Sequence, residues 1–338
     1  MLILSALLGV TAVGAPTTIR VWAMGEEGLN LEKLIPAFER ENPDIRVEIM
    51  QIPWALAYDK MITAVAGGTT PDVTQIGTTW MAPFAAMGAL APLNEFIERS
   101  AVLSADDFFP GSWGTAVVEG VIYGIPWYVD VRVLYYRTDL LQEAGFDRPP
   151  ATWDELRVVG KALADIGDFG MGLSPHWQEF LPFVWQAGGD LLDEAMEEPL
   201  VTEPEFVEAL EFFVSLFRDG IAPLGIGEVD LFHAFATGFF PMYFSGPWMV
   251  ELIRARTPEI DGLWSIAPMP RQAAGTSFIG GANFAIFEGT RNKEAAWRFL
   301  EFMGRAETQV EWYRILRGLP AVKAAWEDPL LMEEPIMA

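Results

Sequence analysis

The 338-residue chain carries 47 acidic against 22 basic residues, a formal net charge of -25, and no cysteine. Such a surface repels phosphate backbones and anionic lipid headgroups, so no nucleic acid or peripheral membrane partner is expected, and the dispersed acidity reads as solubility. Without thiols in this sequence no disulfides, thiolate nucleophiles, Cys-ligated zinc sites or lipid-modified N-terminal cysteine are expected, and a chain this long, 51% hydrophobic, exceeds what one core usually sustains and predicts two lobes.

Residues 1–15 are uncharged and apolar, with small residues at Val13-Gly-Ala15, and read as an export leader. Its basic n-region is missing, since the first basic residue is Arg20, so the leader is expected to be incomplete and the mature chain to start near Pro16. The run is shorter than the ~20 residues of a membrane span. Residues 18–22 alternate and predict a first strand ending in the loop 23–28, followed by a helix with Leu31, Leu34, Ile35 and Phe38 on one face. A strand over 45–49, a helix over 54–66 closed by Gly67-Gly68, and a buried strand and turn over 71–77 come next. This alternation predicts a mostly parallel sheet with helices on both faces.

The stretch 123–145 combines a Gly-Pro turn, a β-rich segment with polar groups beside aromatics, and a helix. Thr152 and Glu155 form a capping box for a helix to about 166, and Thr202 and Glu205 repeat it for a helix bearing Phe206, Leu210, Phe213 and Phe217. Between them, 170–199 is rich in Gly, Trp and Pro and reads as loop and short elements. A helix over 228–237, a strand over 239–244, the turn Ser245-Gly-Pro-Trp248 opening another helix, a strand over 280–287 and a helix over 292–303 complete the series.

No metal, nucleophile, phosphate-loop or dinucleotide motif occurs, so no cofactor and no metal are expected. Of the two histidines, His233 reads as packed inside an apolar helix, and His176 as able to line a pocket. Aromatics are plentiful, with 13 tryptophans. Trp22, Trp54, Trp80, Trp127, Tyr128, Trp177, Trp185 and Trp248 lie beside carboxylates or amides in loops and at strand ends, the composition of a sugar site, and no more than about half are expected to touch ligand. Trp153 and Trp297 are assigned to packing. Glu26, Asp130 and Glu179 can equally be read as the carboxylates of a glycan-cleaving enzyme.

Several landmarks occur together in order: Pro43-Asp-Ile-Arg-Val47, Pro71-Asp-Val73, Gly88-Ala-Leu-Ala-Pro-Leu93, the block 123–156, Ser245-Gly-Pro-Trp248, Gly280-Gly281, Lys293-Glu-Ala-Ala-Trp-Arg-Phe-Leu300 and Gly318-Leu-Pro320. In this set the chain resembles the bacterial extracellular solute-binding proteins, family 1, and within them the maltose- and trehalose-binding branch. The resemblance implies a two-lobe α/β fold of the periplasmic-binding-protein type (type II), each lobe a mostly parallel sheet flanked by helices, with ligand in a cleft between lobes and closure by hinge bending. It assigns 16–126 and about 282–318 to lobe 1, and 127–281 and about 319–338 to lobe 2. It implies a non-enzymatic, monomeric, periplasmic receptor that passes a di- or oligosaccharide to the permease subunits of an ABC importer, with a phosphorylated polyol such as glycerol phosphate as the alternative ligand. For an anion, Arg132 and Arg317 are the evident cations.

Position by position, Trp248 resembles a stacking plate, and Tyr128 with Asp130, which alternate onto one strand face, a sugar-binding pair. Glu26 resembles a hydroxyl-binding acid, Gly281 and Asn283 backbone and amide contacts, and Arg317 a basic contact. Gln51, Thr79 and Trp80 match by position in loops lining the cleft. Two departures stand out. Tyr136-Arg137 replaces a common Tyr-Asn and is expected to affect only the strand end. The chain also ends earlier than is usual for that branch, so the second lobe is expected to be trimmed or the sequence to be a fragment.

Overall fold

The computed structural model describes residues 15–193, 195, 197–225 and 229–332. The leader over 1–14, residue 228 at the expected helix start, and 333–338 lie outside the described residues. The strands are β1 (Thr17–Met24), β2 (Ile45–Ile52), β3 (Val73–Gly77), β4 (Val117–Val118), β5 (Val121–Ile122), β6 (Gly124–Val131), β7 (Val133–Arg137), β8 (Met242–Ser245), β9 (Trp264–Ala267), β10 (Ile279–Ile286) and β11 (Leu319–Pro320). The chain divides into two units, one holding 1–106, 113–126 and 282–308, the other 107–112, 127–281 and 309–338. The chain passes from one to the other within β6, after Pro126, and within β10, after Gly281.

In the first unit β1 runs parallel to β2 and β3, and β10 pairs antiparallel with β3. Every residue of β3 is buried, as expected of a strand covered on both faces. Its polar members are satisfied: Thr74 donates to the Gln75 carbonyl at 2.7 Å, and the Gln75 side chain accepts the Met24 N–H at 2.7 Å. Trp22, Ile52, Met61, Ile76, Phe84 and Phe287 form the core beside it. The expected loop after β1 is instead a short helix, Gly25–Asn30.

Among the described residues the second unit does not hold the expected mostly parallel sheet: β8 and β9 both pair antiparallel with the central β7, and Tyr135 of β7 stacks on Tyr243 of β8 at 5.1 Å between centroids. The helix Trp153–Ile166 buries Trp153, Leu156, Val159 and Leu163, a 3.6-residue period, in one core with Phe206, Phe213 and Leu216 of the helix Pro204–Arg218. Thr152 caps the first of these helices by accepting the Glu155 N–H at 3.3 Å, and Glu155 accepts the Ala151 N–H at 2.8 Å. The second expected box does not form. Pro204 holds Glu203 extended (ψ 152°) and makes it the cap residue, so Thr202 is left a step too early.

Three further readings are corrected. Residues 177–186 form a helix, Trp177–Gln186, despite Pro182, because its buried face joins the core and its Gln186 accepts the buried Trp153 Nε1–H at 2.7 Å. His233 is exposed; it lies on the outer side of the helix Leu231–Thr237. Arg137 does more than end a strand: it is buried, donates to the Phe235 and Ala236 carbonyls at 3.1 and 2.6 Å, and so closes that helix's C-terminus. Burial pushes the Asp139 carboxyl up, but the two Arg137 bonds at 2.9 and 2.6 Å, the Arg137 charge and backbone N–H groups together hold it below its usual range.

The segments 107–112 and 309–318, expected in lobe 1, belong to the second unit. Phe109 donates its N–H to Ala321 at 3.1 Å, the Gln309 side chain accepts from Ala321 and Val322 at 2.7 and 3.1 Å, and Trp312 packs on Trp127 at 4.5 Å. The Phe109 and Trp312 contacts form between segments distant in sequence, whereas those of Gln309 span 12 and 13 residues.

The two stacked phenols differ in one respect. Tyr135 donates to the Gly246 carbonyl at 2.7 Å, whereas the buried Tyr243 hydroxyl has no hydrogen-bond partner among the described residues. Burying an unsatisfied hydroxyl costs about 1–3 kcal/mol, and a made bond is worth about 1 kcal/mol. Tyr243→Phe is therefore expected to raise the chemical denaturation midpoint and Tyr135→Phe to lower it. Equal midpoints for both variants would refute this difference.

Candidate functional site

The topology of the first unit gathers the ends of several segments at one sheet edge. Parallel register places Ala23 beside Gln51, and antiparallel pairing places Ala282 beside Gly77, so the ends of β1, β2 and β3 meet the part of β10 that enters this unit. In open α/β sheets this carboxyl edge is where ligands bind. Gln51 is exposed there and donates to the Gly25 carbonyl at 3.4 Å. Thr79 is exposed in the turn Thr78–Trp80, and Trp80 is half-buried, edge-on to Trp54 at 5.5 Å and to Tyr58 at 5.4 Å. Trp54 and Tyr58 are four apart on one helix, which places both on the same face.

Two expected residues of this unit have neighbours that the sequence pattern does not show. Glu26 is exposed, but its neighbour Glu27 is the acid that meets an aromatic, accepting the Trp54 Nε1–H at 3.3 Å. Asn283 is only 1% exposed, and its amide is bonded to the Thr115 carbonyl and hydroxyl at 3.3 Å, so it braces the sheet end.

In the second unit Asp130 and Trp248 converge on Arg132. The guanidinium lies 3.6 Å from the Asp130 carboxylate, 4.9 Å from the Trp248 ring centroid and 5.8 Å from that of Phe278. Its backbone is fixed by the Ser277 hydroxyl, which accepts the Arg132 N–H at 3.1 Å and donates to its carbonyl at 2.6 Å. The Trp248 indole folds over Gly246, where a Cβ would come within 1.8 Å of the ring, so the Gly-Pro-Trp turn sets the plate. Tyr128 is half-buried and meets Trp127 edge-on at 5.2 Å. Gly281 lies against it, with φ +123° and space for a Cβ only 2.1 Å from the Tyr128 carbonyl, so no other residue fits. Arg317, itself at φ +57°, bonds Glu251 at 3.1 Å on the helix that Trp248 opens and covers the Tyr313 ring at 5.0 Å.

Arg132 is the member of this cluster that the sequence reading undervalued, naming it only as a cation for an anionic ligand. It continues the alternation of 128 and 130 by two residues, a period that signals the shared face. Glu179, first read as a hydrolase acid, stands near it. Burial pushes the Glu179 carboxyl up, against the pull of the Ser174 N–H at 2.9 Å and of Arg132. Of the candidate plates, Trp22 and Trp127 are core residues, while Trp54, Trp80 and Trp248 are half-buried and Trp177 is exposed. Among the described residues no cluster of His, Cys, Asp and Glu suited to a metal ion occurs.

Two α/β units, with paired charges and aromatic rings gathered at strand ends, match the two-lobe periplasmic sugar-binding proteins. The sugar-binding protein MalE from Xanthomonas citri superposes with a TM-score of 0.85 at 34% identity, over 95% of this chain and 83% of that one. The maltose-bound MalE3 of T. maritima gives 0.83 at 30% identity, over 95% and 86%. The maltotriose-binding protein of Pyrococcus abyssi is 25% identical over 87% of this chain and 64% of its own length. Residues 23–310 match the model of the bacterial extracellular solute-binding proteins, and the chain belongs to that family.

The raised Glu179 pKa has a direct consequence for stability. The folded state disfavours the carboxylate, so its penalty is absent when the group is protonated in both states and sets in as pH rises past the ordinary glutamate value. Glu179→Gln keeps an acceptor for Ser174 and removes the charge. It is expected to melt with the wild type below about pH 4 and above it at about pH 8. A gap that does not widen between these conditions would refute the assignment.

Proposed function

We propose that the protein is the exported, periplasmic substrate-binding component of an ABC importer, a monomer that captures a di- or oligosaccharide and hands it to membrane permease subunits. The observation that carries this reading is the second-unit cluster, where an aromatic plate, Trp248, stands beside a guanidinium and a carboxylate, Arg132 and Asp130. A sugar presents a C–H face to such a ring and hydroxyls to such a pair. In the first unit Trp80, Thr79, Gln51 and Glu26 offer the same mixture at a strand-end edge, while Tyr128, Gly281, Asn283 and Arg317 support their surroundings. Relatives named for maltose and maltotriose binding favour a sugar of two or more units.

An anionic ligand fits less well, because each evident cation already faces an acid, Arg132 at Asp130 and Arg317 at Glu251. A receptor is also favoured over a hydrolase, since the family is one of binding proteins.

Titration of tryptophan fluorescence with mono-, di- and trisaccharides tests the reading, and saturable binding of at least one sugar is expected. Trp248→Ala is expected to weaken it by about 1–3 kcal/mol with the fold unchanged by circular dichroism. No response to any sugar from the folded protein would sink the sugar assignment. Prolonged incubation with the bound sugar is expected to leave it intact, and release of new reducing ends would establish the hydrolase instead.

A further inference from the structure

The second unit holds a cavity of about 320 Å³ lined by Arg132, Ser174, His176, Gln178, Glu179 and Phe244, with Pro182 and Met269, and so His176, expected to be able to line a pocket, does line one. Its size is at the low end for ligand pockets, enough for one ring and not for a chain of them. Its polar wall is fixed in place. Glu179 accepts the Ser174 N–H on Oε2 at 2.9 Å. His176 caps the helix Trp177–Gln186 by accepting the Gln178 N–H on Nδ1 at 3.3 Å, which leaves Nε2 as the ring nitrogen able to donate. Arg132 is the hinge point of the arrangement, shared between this cavity and the Trp248–Asp130 cluster.

The charge pattern selects a ligand class. A full negative charge would meet Glu179 and Asp130, and a full positive charge would meet Arg132. A hydroxyl donates and accepts at once, so neighbouring hydroxyls on one ring can take a bond from the guanidinium and give one to the carboxylate. Phe244, Pro182 and Met269 supply an apolar side for the ring's C–H face.

We propose that this cavity is a subsite for a single neutral sugar ring, whose vicinal hydroxyls bridge Arg132 and Glu179. The proposal rests on the sugar-receptor reading and adds Glu179 as a specificity-determining residue. A site built to hydrogen-bond a hydroxyl rejects an analogue that lacks it far more strongly than an apolar pocket does.

The test uses the sugar that the wild type binds most tightly among maltose, maltotriose, glucose and lactose, with its monodeoxy analogues. A charge-assisted bond is worth about 1.5–3 kcal/mol, so Glu179→Gln is expected to weaken that sugar roughly 10- to 150-fold. For one deoxy analogue the effect of the substitution should largely vanish, because the hydroxyl it reads is already gone. A merely structural Glu179 would lower affinity for all analogues alike, and that result overturns the proposal, as does an unchanged affinity. Gln178→Phe, which fills the cavity from its wall and leaves Glu179 intact, is expected to weaken binding as well; if it does not, the ring lies elsewhere. Binding by the wild type with no loss in either variant removes the subsite and leaves the receptor standing, whereas no binding of any sugar removes both.

Discussion

The half-buried guanidinium of Arg132 ties together several segments of the second unit that are far apart in sequence. A cation withdrawn from water is costly unless charge and hydrogen-bonding groups surround it. Here Asp130, the faces of Trp248 and Phe278, and the field of Glu179 meet that need from different segments. Ser277 fixes the backbone at the same residue from a segment 145 positions away. Satisfying one charge therefore sets the positions of an acid, two rings and a loop, and it leaves those groups facing common space.

The first unit reaches a comparable result by a different route. Parallel strands bring Gly25, Gln51 and the Thr78–Trp80 turn to one edge without any buried charge among them. Aromatic side chains then support one another edge-to-face, Trp80 on Trp54 and Tyr58. Such pairs have defined geometry and keep large rings in place where water reaches them. The arrangement suits the weak, shape-dependent contacts that the proposed sugar ligand would need.

The polar partners of these groups show why nearest-neighbour reasoning is insufficient. Glu26 and Glu27 are adjacent, yet only Glu27 meets Trp54, because a short helix replaces the expected loop and turns successive side chains about 100° apart. Asn283 sits at the right end of β10 but faces Thr115 and is sealed in. At both positions side-chain direction decides the neighbours, and alternation and family position leave it open at the junction of two elements.

Local chemistry made much of the fold legible. The alternation of 18–22 and 45–49, the period of Trp153, Leu156, Val159 and Leu163, the Thr152 cap and the ordered family landmarks are contained in short windows, and the structure realises them. Where sequence signals were overridden, the cause was tertiary. Pro182 and its glycine-rich surroundings hid a helix whose stability comes from burial against Trp153 and its neighbours. The return of 309–318 to the second unit depends on Trp312 finding Trp127. The sequence by itself determined the class of protein and the supply of aromatics and acids. Only the tertiary structure decided which of them share a site, because burial and charge pairing act through space between residues that no window of sequence contains.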